Sequence, residues 1–251
     1  MIDDTDAAAG PRGFPATDLS LVQAVASADE AVRRRAFAIL VSVYWRPAYI
    51  HFRFRWKAEV PEAEDLTQEF FTRAMEPGFL EGYAPDRARF RTFLRSCLDH
   101  FVANARRAER RLKRGGGAAL LALDFTGAEA EFVRAGAVTE AEPDSRFHHE
   151  WVRALLAEAV ESLRAECAGT PREIRFRVFT SCDLETVADR DRPSYHELAQ
   201  RFDLSVTQVT NHLAWARREF RRHVLLTLRA LTGSEADFRD EARDLLGVDL
   251  P

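Results

Sequence analysis

Between Ser194 and Phe220 the chain reads SYHELAQRFDLSVTQVTNHLAWARREF. At helical spacing from Ser205, the side chains Thr207, Gln208, Asn211 and Trp215 share one face, with Thr210 and Ala214 beside them. Val209, Leu213, Ala216 and Phe220 fall on the opposite face. Short side chains that both donate and accept hydrogen bonds suit the edges of base pairs in a major groove. The arginines that follow, Arg217, Arg218, Arg221 and Arg222, suit phosphate oxygens. The chemistry open to this surface is recognition of nucleic acid.

Residues that could make or break bonds are not gathered anywhere. Glu62, Glu64, Asp65 and Glu69 diverge around one helix, and neither a histidine nor a second carboxylate group stands at metal-ligand spacing from them. His148 and His149 point to different sides of a helix. The three cysteines, Cys97, Cys167 and Cys182, form no CxxC pair, which argues against a disulfide framework or a zinc site and favours reducing cytosol. Gly115-Gly116-Gly117 lacks the Gly-Lys-Ser/Thr ending of a phosphate loop and reads as a hinge. No catalytic residue, metal or cofactor is expected, and the chain reads as a binding protein and not an enzyme.

The candidate recognition residues need two helices to hold them. Ser194 caps the first, with Glu197 at the capping-box position and Leu198 and Phe202 on its buried side. Asp203 falls where a tight turn takes left-handed backbone, and Ser205 caps the second helix. Two helices joined by three residues make a helix-turn-helix.

Upstream, Ala36, Phe37, Leu40, Val41 and Tyr44 have helical spacing, and Pro47 is expected to kink or restart that helix. Residues 50–57 alternate like a strand but read as helix, because nothing else in the chain offers a partner strand. A helix from Pro61 to about Met75 buries Ala63, Leu66, Phe70 and Ala74 and turns Asp65, Gln68 and Thr72 to solvent. Phe90, Phe93, Leu94, Cys97, Leu98, Phe101 and Val102 repeat as a core helix does.

The chain has 251 residues and a net charge of −4, with charge alternating in blocks and arginine supplying 34 of its 36 basic residues. It starts Met1-Ile2-Asp3-Asp4, without a basic segment leading into an apolar one, and holds no apolar run long enough for a bilayer. The expected organisation is all-α: a loose arm over 1–28, a helical domain over 29–114, an acidic flexible linker over 115–145, a helix-turn-helix domain over 146–232 and an acidic helical tail over 233–251.

Taken in order, these motifs resemble the sigma-70 superfamily of bacterial transcription initiation factors, in particular its extracytoplasmic-function (ECF) group. PEAEDLTQEFFTRAM, Pro61 to Met75, is similar to sigma region 2.2, and FRTFLRSCLDHFVANARRAERR, Phe90 to Arg111, to regions 2.3 and 2.4. The Ser194–Phe220 stretch is similar to region 4.2. The resemblance implies partners: core RNA polymerase, met through its β′ clamp helices and β flap, and promoter DNA, with an anti-sigma factor or kinase as a restraint and no membrane.

It also implies roles. Asp65, Gln68, Glu69 and Thr72 would meet the clamp helices. Arg91, Arg95, Ser96, His100, Asn104, Arg106 and Arg107 would engage the −10 element. Thr207, Gln208, Thr210, Asn211 and Trp215 would read the −35 element, with Ser194, Tyr195, Arg217 and Arg218 on phosphates.

Some positions depart from the family pattern. Asp203 stands where relatives usually have glycine, and Thr210 and Trp215 hold two positions of which one or both are usually basic in relatives. Asp99-His100 replaces a common Arg-Asn pair, and Asn104 an aspartate. The acidic arm, linker and tail would discourage DNA binding away from polymerase. The competing readings are a stand-alone helix-turn-helix regulator and a helical adaptor that touches no DNA.

Overall fold

The computed structural model describes residues 24–25, 27, 29–76, 78–79, 82–109, 121, 123–136, 143–185 and 192–247. Its regular elements are helical, with no strand among the described residues. The chain divides into two compact units, residues 157–226 and residues 18–156 together with 227–251.

In the larger unit, α1 (Glu30–Arg55) is capped by Asp29, whose Oδ1 accepts from the amide of Ala31 at 2.8 Å. It runs through Pro47 without a break, so the helix does not restart there. Packing explains this: Val43, Tyr44, Pro47, Ala48, Tyr49, Ile50, His51 and Phe52 are all buried, so neighbours hold the backbone where proline withholds a hydrogen bond. The alternating residues after Tyr49 continue this helix to Arg55, as expected. It stops at Lys57, which takes left-handed φ of 50° while the amide of Ala58 bonds Phe52 O at 3.1 Å.

Helix α2 (Val60–Ala74) starts with proline in its first turn, and α3 (Phe90–Glu109) carries the predicted stripe. Phe70 meets Phe101 edge-on at 5.6 Å, and Phe90 meets Tyr44 at 5.7 Å, so aromatic rings tie the three helices together. Where the sequence suggests only a linker, a further helix α4 (Phe125–Gly136) forms. Phe125 packs on Trp45 at 5.6 Å and Tyr49 at 5.3 Å, and Glu129 takes the Tyr49 hydroxyl at 2.6 Å and Arg53 Nη2 at 2.7 Å. Partners distant in sequence supply what the acidic composition of 115–145 hides.

Helix α5 (Pro143–Cys167) gives its first half to this unit, where Phe147 and Trp151 are buried. The end of helix α8 (Val206–Ala230) and helix α9 (Glu235–Leu246) also belong to it. The triple glycine, Arg110 to Arg114, most of the N-terminal arm and residues 186–191 lie outside the described residues.

The smaller unit holds the end of α5, α6 (Glu173–Phe179), one π-helical turn (Thr180–Leu184), α7 (Tyr195–Phe202) and most of α8 (Val206–Ala230). Leu163, Cys167, Val178, Phe179, Cys182, Leu198, Val209, Leu213 and Ala216 form its core.

Candidate nucleic-acid interface

The helix-turn-helix is built by side chains capping backbone. The amide of Glu197 donates to Ser194 Oγ at 3.2 Å while the amide of Ser194 donates to Glu197 Oε2 at 2.7 Å. The Ser194 amide, and after it the Ser194 hydroxyl, hold the exposed Glu197 carboxyl below the usual range. Asp203 ends α7 at φ 53° and ψ 51°, and the Leu204 amide reaches back to Ala199 O at 2.9 Å, turning Leu204 onto the core.

A second capping box follows, which the sequence reading missed although Ser205 and Gln208 have its spacing. The Gln208 amide donates to Ser205 Oγ at 3.2 Å, and the Ser205 amide donates to Gln208 Oε1 at 2.8 Å. Gln208 therefore serves the cap with its carbonyl end, and its side-chain nitrogen is the end left for a base.

Thr207, Gln208, Thr210 and Asn211 are all exposed along the start of α8. Tyr195 and Arg218 are also exposed. Trp215 is placed differently, being half-buried against the core cluster, with Arg175 4.9 Å and Arg172 5.7 Å from its ring centre. Arg217 is held as well: Nε and Nη2 bond the two carboxylate oxygens of Asp183 at 2.8 and 3.0 Å, on the π-helical turn. The Ser194 hydroxyl is occupied with Glu197 at 2.8 Å.

The seven predicted positions along α3 fall into two groups. Ser96, His100, Asn104 and Arg107 are exposed. Arg91, Arg95 and Arg106 instead meet carboxylates of their own unit. Arg91 Nε bonds Glu241 at 2.7 Å, Arg95 bonds Asp144 at 2.9 Å, and Arg106 bonds Glu62 at 2.9 Å and Trp56 O at 2.9 Å. Asp99, at the altered family position, accepts from Trp56 Nε1 at 2.7 Å and lies 2.8 Å from His51 Nε2. Burial keeps His51 below the ordinary histidine pKa despite that carboxylate.

On α2, Asp65 is exposed and Glu69 pairs with Arg73 at 2.8 Å. Gln68 and Thr72 are half-buried, which corrects the expectation of a solvent-facing side without internal partners. Gln68 binds both backbone groups of Leu121, and the Thr72 hydroxyl donates to Gln68 O at 2.8 Å. Sequence spacing shows which way a side chain points on a helix, but not which distant segment crosses it.

A capped helix-turn-helix with an exposed polar recognition face, together with an arginine-bearing helix in a separate unit, defines an all-helical protein of the DNA-binding class. The chain belongs to the ECF sigma factor family, whose family model matches residues 19–225. It is an RNA polymerase sigma factor, of a family of transcription initiation factors and not of catalysts. Comparison with curated proteins and with solved structures gives no match. Among the described residues, no helix is long and apolar enough to cross a membrane and no cluster of side chains could hold a metal ion.

Proposed function

We propose that this sigma factor binds core RNA polymerase in the cytoplasm and selects promoters by reading the −35 element with α8 and the −10 element with α3. The observation that supports this best is the exposed row Thr207, Gln208, Thr210 and Asn211, set by two successive capping boxes on a helix that follows a left-handed turn. Side chains fixed on a rigid helix can be matched to base edges, whereas side chains on a loose segment cannot.

On this reading α2 meets the β′ clamp helices through Asp65, Gln68, Glu69 and Thr72, and the smaller unit meets the β flap. Ser96, His100, Asn104 and Arg107 form the part of α3 open to the −10 strand, and Arg91, Arg95 and Arg106 join it by exchanging carboxylates for phosphates. Ser194, Tyr195, Arg217 and Arg218 border the −35 helix, with Trp215 supporting it from the core side. Each helix holds DNA weakly alone, and polymerase makes their binding bivalent by fixing the spacing between them. An anti-sigma protein or a kinase is the kind of partner that would restrain such a factor.

The test is co-purification of the full chain with core polymerase, followed by run-off transcription on genomic fragments. Retention with discrete start sites is the expected result. A chain that is not retained, and that dimerises on a palindrome unaided, would replace this reading with that of a stand-alone regulator.

A further inference from the structure

Helix α9 (Glu235–Leu246) lies beyond residues 19–225, the part of the chain that the family model matches. Its carboxylates at positions 237, 241 and 244 have helical spacing, and Glu241 and Asp244 meet Arg89 and Arg91 at the start of α3. Glu241 Oε1 is 2.7 Å from Arg91 Nε, and Glu241 Oε2 is 3.5 Å from Arg89 Nη1. Asp244 Oδ2 is 2.6 Å from the same Arg89 nitrogen. Arg91 also stacks 5.1 Å from the Trp151 ring centre and touches His148 Nδ1, so its guanidinium is fixed in place.

The seat is shaped to fit. Ser234 caps α9, Phe238 and Ala242 are buried, and Arg229 lies 4.5 Å from the Phe238 ring centre. At Gly233 an added Cβ would come 2.5 Å from the Tyr83 hydroxyl, so a side chain there displaces either the Tyr83 ring or the start of α9.

We propose that α9 is an internal substitute for nucleic acid, its Glu241 and Asp244 carboxylates occupying on Arg89 and Arg91 the places that phosphates take when DNA arrives. Two features favour exchange over permanent attachment. Carboxylate and phosphate offer a guanidinium the same paired oxygens, so either can fill the site. Asp237 and Glu241 are nearly fully buried, and burial pushes both carboxyls above their usual range, so docking works against the desolvation of its own charges. The proposal rests on the assignment of α3 to promoter DNA.

The test uses the full chain without polymerase and a labelled single-stranded DNA of mixed sequence, read by anisotropy across a salt series. Hydrogen exchange of α9 reports whether the helix has left its seat. In Gly233→Ala the clash with Tyr83 should release it, and in Glu241→Lys a third cation beside Arg89 and Arg91 should do the same. Release should tighten DNA binding at least fivefold, roughly the gain of one phosphate contact near 0.1 M salt, and steepen the salt slope by about 1.4 if both arginines engage. Adding Arg91→Ala to Gly233→Ala should remove most of that gain.

Unchanged affinity with α9 released overturns the proposal. So does an α9 that stays seated in Glu241→Lys, or a larger unit that no longer melts cooperatively in either variant, since α9 would then be a fixed part of the core. Failure of the promoter assignment looks different: no run-off product forms with core polymerase from wild type or variants, whatever the anisotropy shows.

Discussion

Both ends of the Gln68 side-chain amide are bound to a single residue 53 positions away, Nε2 donating to Leu121 O at 2.9 Å and Oε1 accepting from the Leu121 amide at 2.8 Å. One side chain thus ties the segment leading into α4 to the face of α2 proposed to meet polymerase. Gln68→Ala should destabilise the larger unit by roughly 1–2 kcal/mol, two hydrogen bonds at about 1 kcal/mol each. Denaturant unfolding measures this, and the Leu121 amide should exchange faster in the variant. Equal midpoints for wild type and variant would show that the paired bonds contribute nothing.

Asp203 occupies left-handed backbone at φ 53° with a side chain that glycine would lack. Asp203→Gly should hold or raise the stability of the helix-turn-helix, whereas Asp203→Val should lower it by about 1–2 kcal/mol, the penalty of a branched Cβ in that conformation. Thermal melting followed by circular dichroism separates the two variants. A valine variant as stable as wild type would mean that the turn has shifted to another conformation.

Arg217 and Arg218 are neighbours in sequence but should answer different experiments. Arg218 is exposed, with its Nε 3.8 Å from Glu219, so Arg218→Ala should weaken DNA binding across sequences and reduce the salt slope by about 1. Arg217 is partly exposed and clasps Asp183, so Arg217→Ala should loosen the π-helical turn for a loss of less than about 1 kcal/mol, as exposed ion pairs do. Gln208→Ala and Asn211→Ala should instead change the −35 bases recovered by selection from random sequence. An unaltered recovered sequence would remove both residues from base reading.

Stability should decline as pH falls through the histidine range. Burial depresses His51 and His223 below the ordinary value of about 6.5. Arg222 adds to this at His223, and Glu166, 3.0 Å away, opposes it. The unfolded chain then binds more protons than the folded one, so their contribution is complete above about pH 6.5 and disappears as pH falls through the depressed folded values. Asp237 and Glu241 act with the opposite sign. Burial raises their folded values, so their contribution is present below about pH 4 and fades as pH climbs through those raised values. Urea midpoints between about pH 7.5 and 5.5 should fall, and replacing His51 or His223 with glutamine should flatten the slope even where it lowers stability overall. A slope that neither replacement alters would assign it to other groups.

What could be read from residue order concerns neighbours along the chain. Ser194 with Glu197, Asp203 in the turn, Ser205 as a cap and the apolar stripe of α3 all depend on groups within a few positions of one another, where backbone geometry fixes which side chains meet. The family could be recognised for the same reason, since its motifs are local.

The rest was decided by packing. Pro47 stays inside α1 because buried neighbours hold it, and Trp215 turns from the recognition face towards the core and its two arginines. Arg91, Arg95 and Arg106 find Glu241, Asp144 and Glu62 across 150, 49 and 44 positions, and no periodicity encodes such distances. A charge's partner depends on which helices the apolar faces bring together, so which arginines stand open to DNA and which are already engaged is a property of the folded chain alone.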